Sequence, residues 1–289
     1  MPHPHEANAG AEPPPSQAAR NAASRRAALR SENSRAARAA LAVALIALAE
    51  EELAHGREAA TVAALAEAGT LFPKRLPEDP ASRGRFVMLQ RTKAVLAQKQ
   101  ERQADAVEAY EAALSAIPAD LESASRDDNA ARLQLLVRLA RSRLAIGDAA
   151  AVASEMQDCE ALMAALDGEI PARALDAVRA AVLGHTGVAK AMLGEFEAAG
   201  AKLAESLALL DRLAVPELAD LRRQVLDAWS NVLRRGGGDP SAILARAATA
   251  DKAPDESCGC SHPHAHDHDH CTGHGHHHGH SHEGPTHSR

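Results

Sequence analysis

Ala104-Asp105-Ala106-Val107-Glu108-Ala109-Tyr110-Glu111-Ala112-Ala113-Leu114, closed by Ile117-Pro118, is the stretch from which the fold is read. It follows a polar turn, Glu101-Arg102-Gln103-Ala104-Asp105, and a preceding helical segment. Helix, short turn, then a second helix with small residues on its inner face make one unit. The same layout recurs around turns at His55-Gly56-Arg57-Glu58, Ile146-Gly147-Asp148, Leu193-Gly194-Glu195-Phe196 and Arg235-Gly236-Gly237-Gly238-Asp239. Successive turns lie about 43–47 residues apart, the length of a helix pair. One pair cannot bury its apolar face alone, whereas stacked pairs bury a continuous core.

Outward from this register, residues from about 20 to 249 carry a nearly continuous helical pattern, with no run of alternating β-branched residues. Helix punctuation falls between the segments. Leu71-Phe72-Pro73 closes one segment, Pro171 and Pro216 sit at helix starts, and Asp239-Pro240-Ser241 forms an N-cap after the Gly236–Gly238 breaker. The expected organisation is a disordered segment over 1–19, a helical repeat domain over 20–250 and a disordered tail over 251–289.

The 104–114 stretch, followed by Pro118, closely resembles the second helix of a tetratricopeptide repeat (TPR). Leu193-Gly194-Glu195-Phe196-Glu197-Ala198-Ala199 is similar to the turn and second-helix start of another, and Leu139-Ala140 with Gly147-Asp148 to a third. The spacing exceeds the roughly 34 residues of a standard TPR, so the resemblance implies longer helices in a looser TPR-like array. The expected fold is all-α, an α-solenoid of about five antiparallel helix pairs with disordered N- and C-terminal tails. By analogy to TPR grooves, the first helices offer Gln90, Lys93, Arg138, Arg141 and Lys190 to a protein or peptide partner.

Composition narrows the function classes. Aromatic residues make up 2% of the chain, too few for a base-stacking surface or an aromatic ligand pocket. A formal net charge of -7 argues against nucleic-acid binding, which needs clustered basic charge. No apolar run approaches the ~20 residues that span a bilayer. The run over 39–49 (AALAVALIALA) resembles a signal-peptide core, but the leader would be unusually long and the segment fits the repeat. A cytoplasmic setting is expected, since cysteine is not used to staple the body. Secretion and organelle import are the minority readings, the latter because residues 20–38 hold six Arg and one acidic residue.

Residues that carry chemistry elsewhere have structural explanations here. His55 and His185, each beside Gly, are read as solvent-facing or capping residues near helix ends. Cys159, Tyr110 and Trp229 are read as core. Gly236-Gly237-Gly238 lacks the Lys-Ser/Thr of a phosphate loop. Carboxylates come in runs such as Glu50-Glu51-Glu52, which mark solvated faces. Arg20, Arg25, Arg26, Arg30, Arg35 and Arg38 are read as a solvated first helix whose stems cover Ala-rich surface. An acidic partner, a membrane surface or RNA are the alternatives for that cluster. No catalytic constellation is visible, and an enzyme is not expected.

The exception is the tail. Residues 258–287 read CGCSHPHAHDHDHCTGHGHHHGHSHEGPTH, with twelve of the sixteen His and three of the four Cys. Cys258, Cys260, His262, His264, His266, His268, His270, Cys271, His274, His276, His277, His278, His280 and His282 are the candidate metal ligands. Neutral imidazole and thiolate suit Ni, Zn, Cu or Co, and alternation along an extended chain lets neighbouring rings chelate. At about four ligands per ion, the tail accommodates roughly three ions at most. The composition resembles the His-rich regions of nickel-handling accessory proteins, among them SlyD-type prolyl isomerases and hydrogenase-maturation GTPases. That resemblance implies metal binding alone, because the chain has neither the isomerase domain nor a P-loop. The sequence thus predicts a protein-binding scaffold with a metal-binding tail, a metal-delivery or metal-handling accessory protein. A generic scaffold with a non-essential tail and a metal storage or buffering protein are the alternatives.

Overall fold

The computed structural model describes residues 14–72, 79–121, 124–243 and 245. The chain divides after Asp251 into two units, and every described residue lies in the first. The described residues form α-helices and one 3₁₀ turn, without a strand, as the helical periodicity predicts. In chain order the helices are α1 (Gln17–Glu32), α2 (Arg35–Ala54), α3 (Glu58–Thr70), α4 (Pro80–Lys99) and α5 (Gln103–Ser115). They continue with α6 (Arg126–Ala145), α7 (Ala149–Ala165), α8 (Ala172–Met192), α9 (Phe196–Leu213) and α10 (Ala219–Arg235). Pro216–Leu218 forms the 3₁₀ turn that leads into α10.

Helices α2–α3, α4–α5, α6–α7 and α8–α9 are consecutive pairs, and each helix packs on its neighbours in sequence. α10 opens a fifth pair, with helical residues at 241–243 after the next turn. Every first helix ends in the same way. The amides of Arg57, Arg102, Asp148, Glu195 and Gly238 donate to the carbonyls five residues back, those of Glu52, Ala97, Arg143, Lys190 and Leu233 (2.8–2.9 Å). The residue before each amide is left-handed: Gly56, Glu101, Gly147, Gly194 and Gly237 have φ of 71°, 58°, 88°, 86° and 76°. This geometry recovers carbonyls that a helix end otherwise leaves without a partner.

First helices also touch one another, α2 on α4, α6 on α8 and α8 on α10, whereas no two second helices pack comparably. The first helices therefore line the inner side of the stack. Ala and Leu fill the core between them, and Tyr110 is wholly buried with Ala94, Ala106, Ala113 and Leu139. The closest approach is between α8 and α9. A Cβ on Gly187 would fall 2.6 Å from Leu203 Cγ, and Ser206 Oγ donates to the Ala180 carbonyl at 2.7 Å inside the core. Only a residue without a side chain fits at Gly187, because interiors are packed to crystal-like density.

The N-terminal region departs from the sequence reading in two ways. Helix begins at Gln17, capped by Ser16, so the segment over 1–19 is not wholly irregular. The stretch from Arg20 to Ala54 is two helices rather than one, broken where Asn33 turns left-handed (φ 33°) and Ser34 caps α2. The Arg-rich residues are thus divided between α1 and the start of α2. α1 buries Ala22 and packs Leu29 on α2, and its exposed surface mixes Arg20, Asn21, Ser24, Arg25 and Arg30 with alanines. At the other end, α10 faces outward with Arg223, Gln224, Asp227 and Asn231. A stack of apolar-faced units stays soluble when its terminal helices carry polar outer faces.

Glu101 is the one first-helix turn residue of the five that is left-handed without being Gly. An L side chain in that region carries about 1 kcal/mol of steric cost. Glu101→Gly is expected to raise stability by about 0.5–1 kcal/mol, after the loss to greater unfolded-state freedom. The urea midpoint of the full chain, followed by circular dichroism, measures this. An unchanged or lower midpoint shows that the turn tolerates Glu without strain.

Candidate functional site

Two surfaces of the stack gather functional side chains. On the inner side, Tyr110 from α5 reaches between α4 and α6. Its hydroxyl donates to Gln98 Oε1 (3.2 Å), and Gln98 Nε2 donates to Ser142 Oγ (2.8 Å). Three helices are thereby tied through side chains. Arg138 faces the Tyr110 hydroxyl, with Arg141 and Arg91 nearby, yet burial dominates and pushes the phenol above its ordinary range. Arg91 is answered by Glu50 of α2 (2.7 Å), which also accepts from Thr92 Oγ1 (3.2 Å). Arg138 and Arg141 are exposed, and neither meets a carboxylate among the described residues.

Further along that side is His185, where the sequence reading needs correcting. It lies within α8, not near a helix end, and it is buried. Burial pushes its imidazole down to about 4, with the Arg141 charge acting in the same direction, so the ring is neutral at neutral pH. His55 behaves as read: it caps α2, and its Nδ1 lies 2.7 Å from the Glu51 carbonyl oxygen. Cys159 is core, wholly buried among Leu162, Met156 and Val152. Burial pushes its thiol up to about 12, which keeps it protonated at neutral pH. Trp229 is half-buried against the α9–α10 core.

On the outer side, the gaps between second helices form a series of troughs, each floored by a first helix. Across the α1–α3 gap, Arg26 donates to Glu67 from Nε (2.8 Å) and Nη2 (2.5 Å). Across the α5–α7 gap, Arg143 of α6 meets Glu111 of α5 (2.5 Å) and Glu155 of α7 (2.9 Å). The α3–α5 gap is open, a trough of about 570 Å³ over Leu96 and Ala97. The α7–α9 gap is open as well, about 480 Å³, lined by Met163, Val182 and Leu183 with Glu160, Asp167 and Glu205.

The five groove residues expected from sequence therefore do not share one surface. Gln90 and Lys93 line the α3–α5 trough, Arg138 and Arg141 lie by Tyr110, and Lys190 pairs with Glu195 in its own turn (2.6 Å). Helical phase separates the first two groups, since Gln90 and Arg91 are successive residues on α4. The arrangement that sequence reasoning missed is the Glu111–Arg143–Glu155 triad. Its members come from three helices and no local motif announces them. The fourteen Cys and His metal-ligand candidates from Cys258 to His282 lie outside the described residues. Among the described residues, no cluster of three or more metal-ligating side chains is present.

The triad is under-satisfied. Arg143 and Glu155 side chains are 16% and 12% exposed, and Arg143 Nε and Glu155 Oε2 are buried without partners. Arg143 divides its charge between two carboxylates, so its pull on Glu155 does not offset the loss of hydration. Burial pushes Glu155 up to about 7, helped by Asp148, Glu111 and Asp158, with Arg143 opposing.

No family model matches the sequence, and no curated protein matches it. Among solved structures, the chain is similar to BtubC (BKLC) from P. vanneervenii, with a TM-score of 0.58 at 19% sequence identity. The likeness covers 88% of this chain and 94% of that one. At that identity it establishes a shared helical fold.

The sign of the Glu155 effect follows from its raised value. The folded protein holds the proton up to about 7, against an ordinary 4.5, so its contribution is complete below 4.5 and is lost as pH rises through 7. Glu155→Gln, neutral at every pH, is expected to flatten the fall in melting temperature between pH 5 and 8 and to raise stability at pH 8. A variant whose pH profile parallels the parent's would show that Glu155 titrates normally.

Proposed function

We propose that the helical stack is a non-enzymatic scaffold that binds an acidic protein segment on its inner, first-helix side. The observation that carries this reading is the pair Arg138 and Arg141. Both are exposed beside an immobilised Tyr110 and lack a carboxylate partner among the described residues. Guanidinium groups bind carboxylates bidentately, and each charge-assisted contact contributes about 1.5–3 kcal/mol where water is partly excluded. The Tyr110–Gln98–Ser142 network holds α4, α5 and α6 in register, so little ordering cost falls on the scaffold when a segment docks. Electrostatic steering by the two arginines speeds encounter and weakens with salt.

The tail supplies the second half of the reading. Its His and Cys residues take up Ni, Zn, Cu or Co, and the scaffold holds a client within reach. Tethering sets an effective metal concentration near the client on the order of millimolar. The pairing of a recognition stack with a ligand-dense tail in one chain supports a metal-delivery or metal-handling accessory role. Among the described residues no helix is long and apolar enough to cross a membrane, which fits a cytoplasmic place of action.

Two measurements separate these parts. Arg138→Glu combined with Arg141→Glu is expected to weaken binding of a Glu/Asp-rich peptide at least tenfold, read by fluorescence anisotropy at two salt concentrations, with helical content unchanged. Equal binding by parent and variant excludes the inner-face reading. Independently, the full chain is expected to bind two or more Ni or Zn ions under reducing conditions, and a chain ending at Lys252 none. Equal, weak uptake by both makes the tail dispensable for metal.

A further inference from the structure

The outer troughs follow one register, and their differences point to a second binding site that does not depend on the inner-face reading. Counting back four residues from the left-handed turn residue gives Glu52, Ala97, Arg143 and Lys190 on α2, α4, α6 and α8. At this position Arg143 spans the α5–α7 gap and is met by a carboxylate from each flanking helix. The α1–α3 gap is likewise crossed, by Arg26 and Glu67. On α4 the position is Ala97, too short to cross, and among the described residues no ion pair spans α3 to α5 along the trough.

Four features of this trough are specific. Its apolar lining is mostly small, with Leu65, Ala66, Leu96, Ala97, Ala109 and Ala112, while Gln90, Lys93, Arg102, Asp105 and Glu108 supply polar groups. Val62 on its α3 wall is 47% exposed and presents a branched apolar side chain to the trough. Lys93 points along the α3 side, its Nζ 3.9 Å from where a Cβ on Gly69 would stand, and has no carboxylate partner among the described residues. The bounding helices α3 and α5 have 13 residues each, about 20 Å at 1.5 Å per residue.

We infer that the α3–α5 trough is a docking site for an amphipathic helix of three to four turns from a partner protein, with an acidic residue beside its apolar stripe. The lined stretch along α5, residues 102–112, is about 16 Å long and matches three turns of such a helix, and Ala66, Ala109 and Ala112 let its backbone come close. Its apolar residues, at i, i+3/i+4 and i+7, pack on Val62, Ala66, Ala109 and Ala112, above the buried Leu65 and Leu96. Its carboxylate meets Lys93, standing where Glu67 stands for Arg26 and where Glu111 and Glu155 stand for Arg143. Charge complementarity is thus the rule already used in the neighbouring gaps, with the anion supplied from outside. Glu108 on the opposite rim sets direction by favouring a basic residue on the far edge of the bound helix.

The test is a selection on the full chain from a displayed library of 16-residue helix-forming peptides, randomised along one face. Enriched peptides are expected to share an apolar i, i+3/i+4, i+7 stripe with Asp or Glu beside it. Val62→Arg and Lys93→Glu, both at solvent-accessible positions, are each expected to weaken the enriched peptides at least tenfold. Lys93→Glu should in turn favour peptides with Lys in place of the acid, while Arg138→Glu with Arg141→Glu leaves binding unchanged. Failure to enrich any peptide, enrichment without the acid, or binding indifferent to Val62→Arg and Lys93→Glu overturns the site. Peptides lost only with the Arg138 and Arg141 changes belong to the inner face and overturn it equally.

Discussion

The backbone bond from each turn amide to the carbonyl five residues back is the constraint from which the rest of this stack follows. It ends the first helix, satisfies a carbonyl that would otherwise point into a junction, and reverses the chain within three residues at the four turns from α2 to α9 and five at the turn after α10. Because five turns use it, the second helix leaves the first at a comparable geometry each time. Register is then conserved along the stack, and equivalent positions can be compared directly. The left-handed residue makes this possible, and Gly supplies it at four of the turns.

That device was legible in the sequence because it depends on single residues. Gly56, Gly147, Gly194 and Gly237 mark their turns, and the polar run over 101–105 marks the other by its place in the spacing. Caps are similarly local: Asp79 before Pro80, and the Ser125–Asp128 capping box, are short-range contacts between near neighbours. The break between α1 and α2 was equally local, at Asn33-Ser34, but the Ala/Arg-rich pattern on both sides obscured it. His185 misled for another reason. Its flanking small residues resemble helix-end punctuation, whereas here Gly184 and Gly187 let α9 and α10 pack closely, which only the tertiary structure reveals.

Site geometry was less legible because it is made between helices. A one-residue step along α4 separates Gln90 from Arg91 by about 100° around the axis, enough to send one outward and one inward. Residue type is read directly from sequence, but the direction each residue faces is not. The Glu111–Arg143–Glu155 triad joins residues far apart in sequence, and its charges look like ordinary solvated ones until burial is known. Desolvation then outweighs the Coulombic attraction of a guanidinium already shared with a second carboxylate.

Across the α3–α5, α5–α7 and α7–α9 gaps, the contrast between closed and open follows from how one register position spends its side chain. Ala-rich helices approach closely where they are paired, but Ala cannot reach across the wider spacing between second helices. Something longer must cross that spacing or it stays open. Arg143 is long enough and crosses. Glu52 and Lys190 are also charged, but each bonds along its own turn instead, to Arg57 and Glu195 five residues on. A partner held on the same turn costs less chain ordering than one on another helix, so the local pair wins when the turn offers the opposite charge. The turn after α6 offers Asp148, of the right sign, yet its side chain is engaged as the N-cap of α7, accepting from the Ala151 amide (3.3 Å). Arg143 is therefore left to the flanking helices. The outer surface of the stack is in this way decided by a competition at each turn, and at Ala97, where no charged side chain competes, a trough of about 570 Å³ remains.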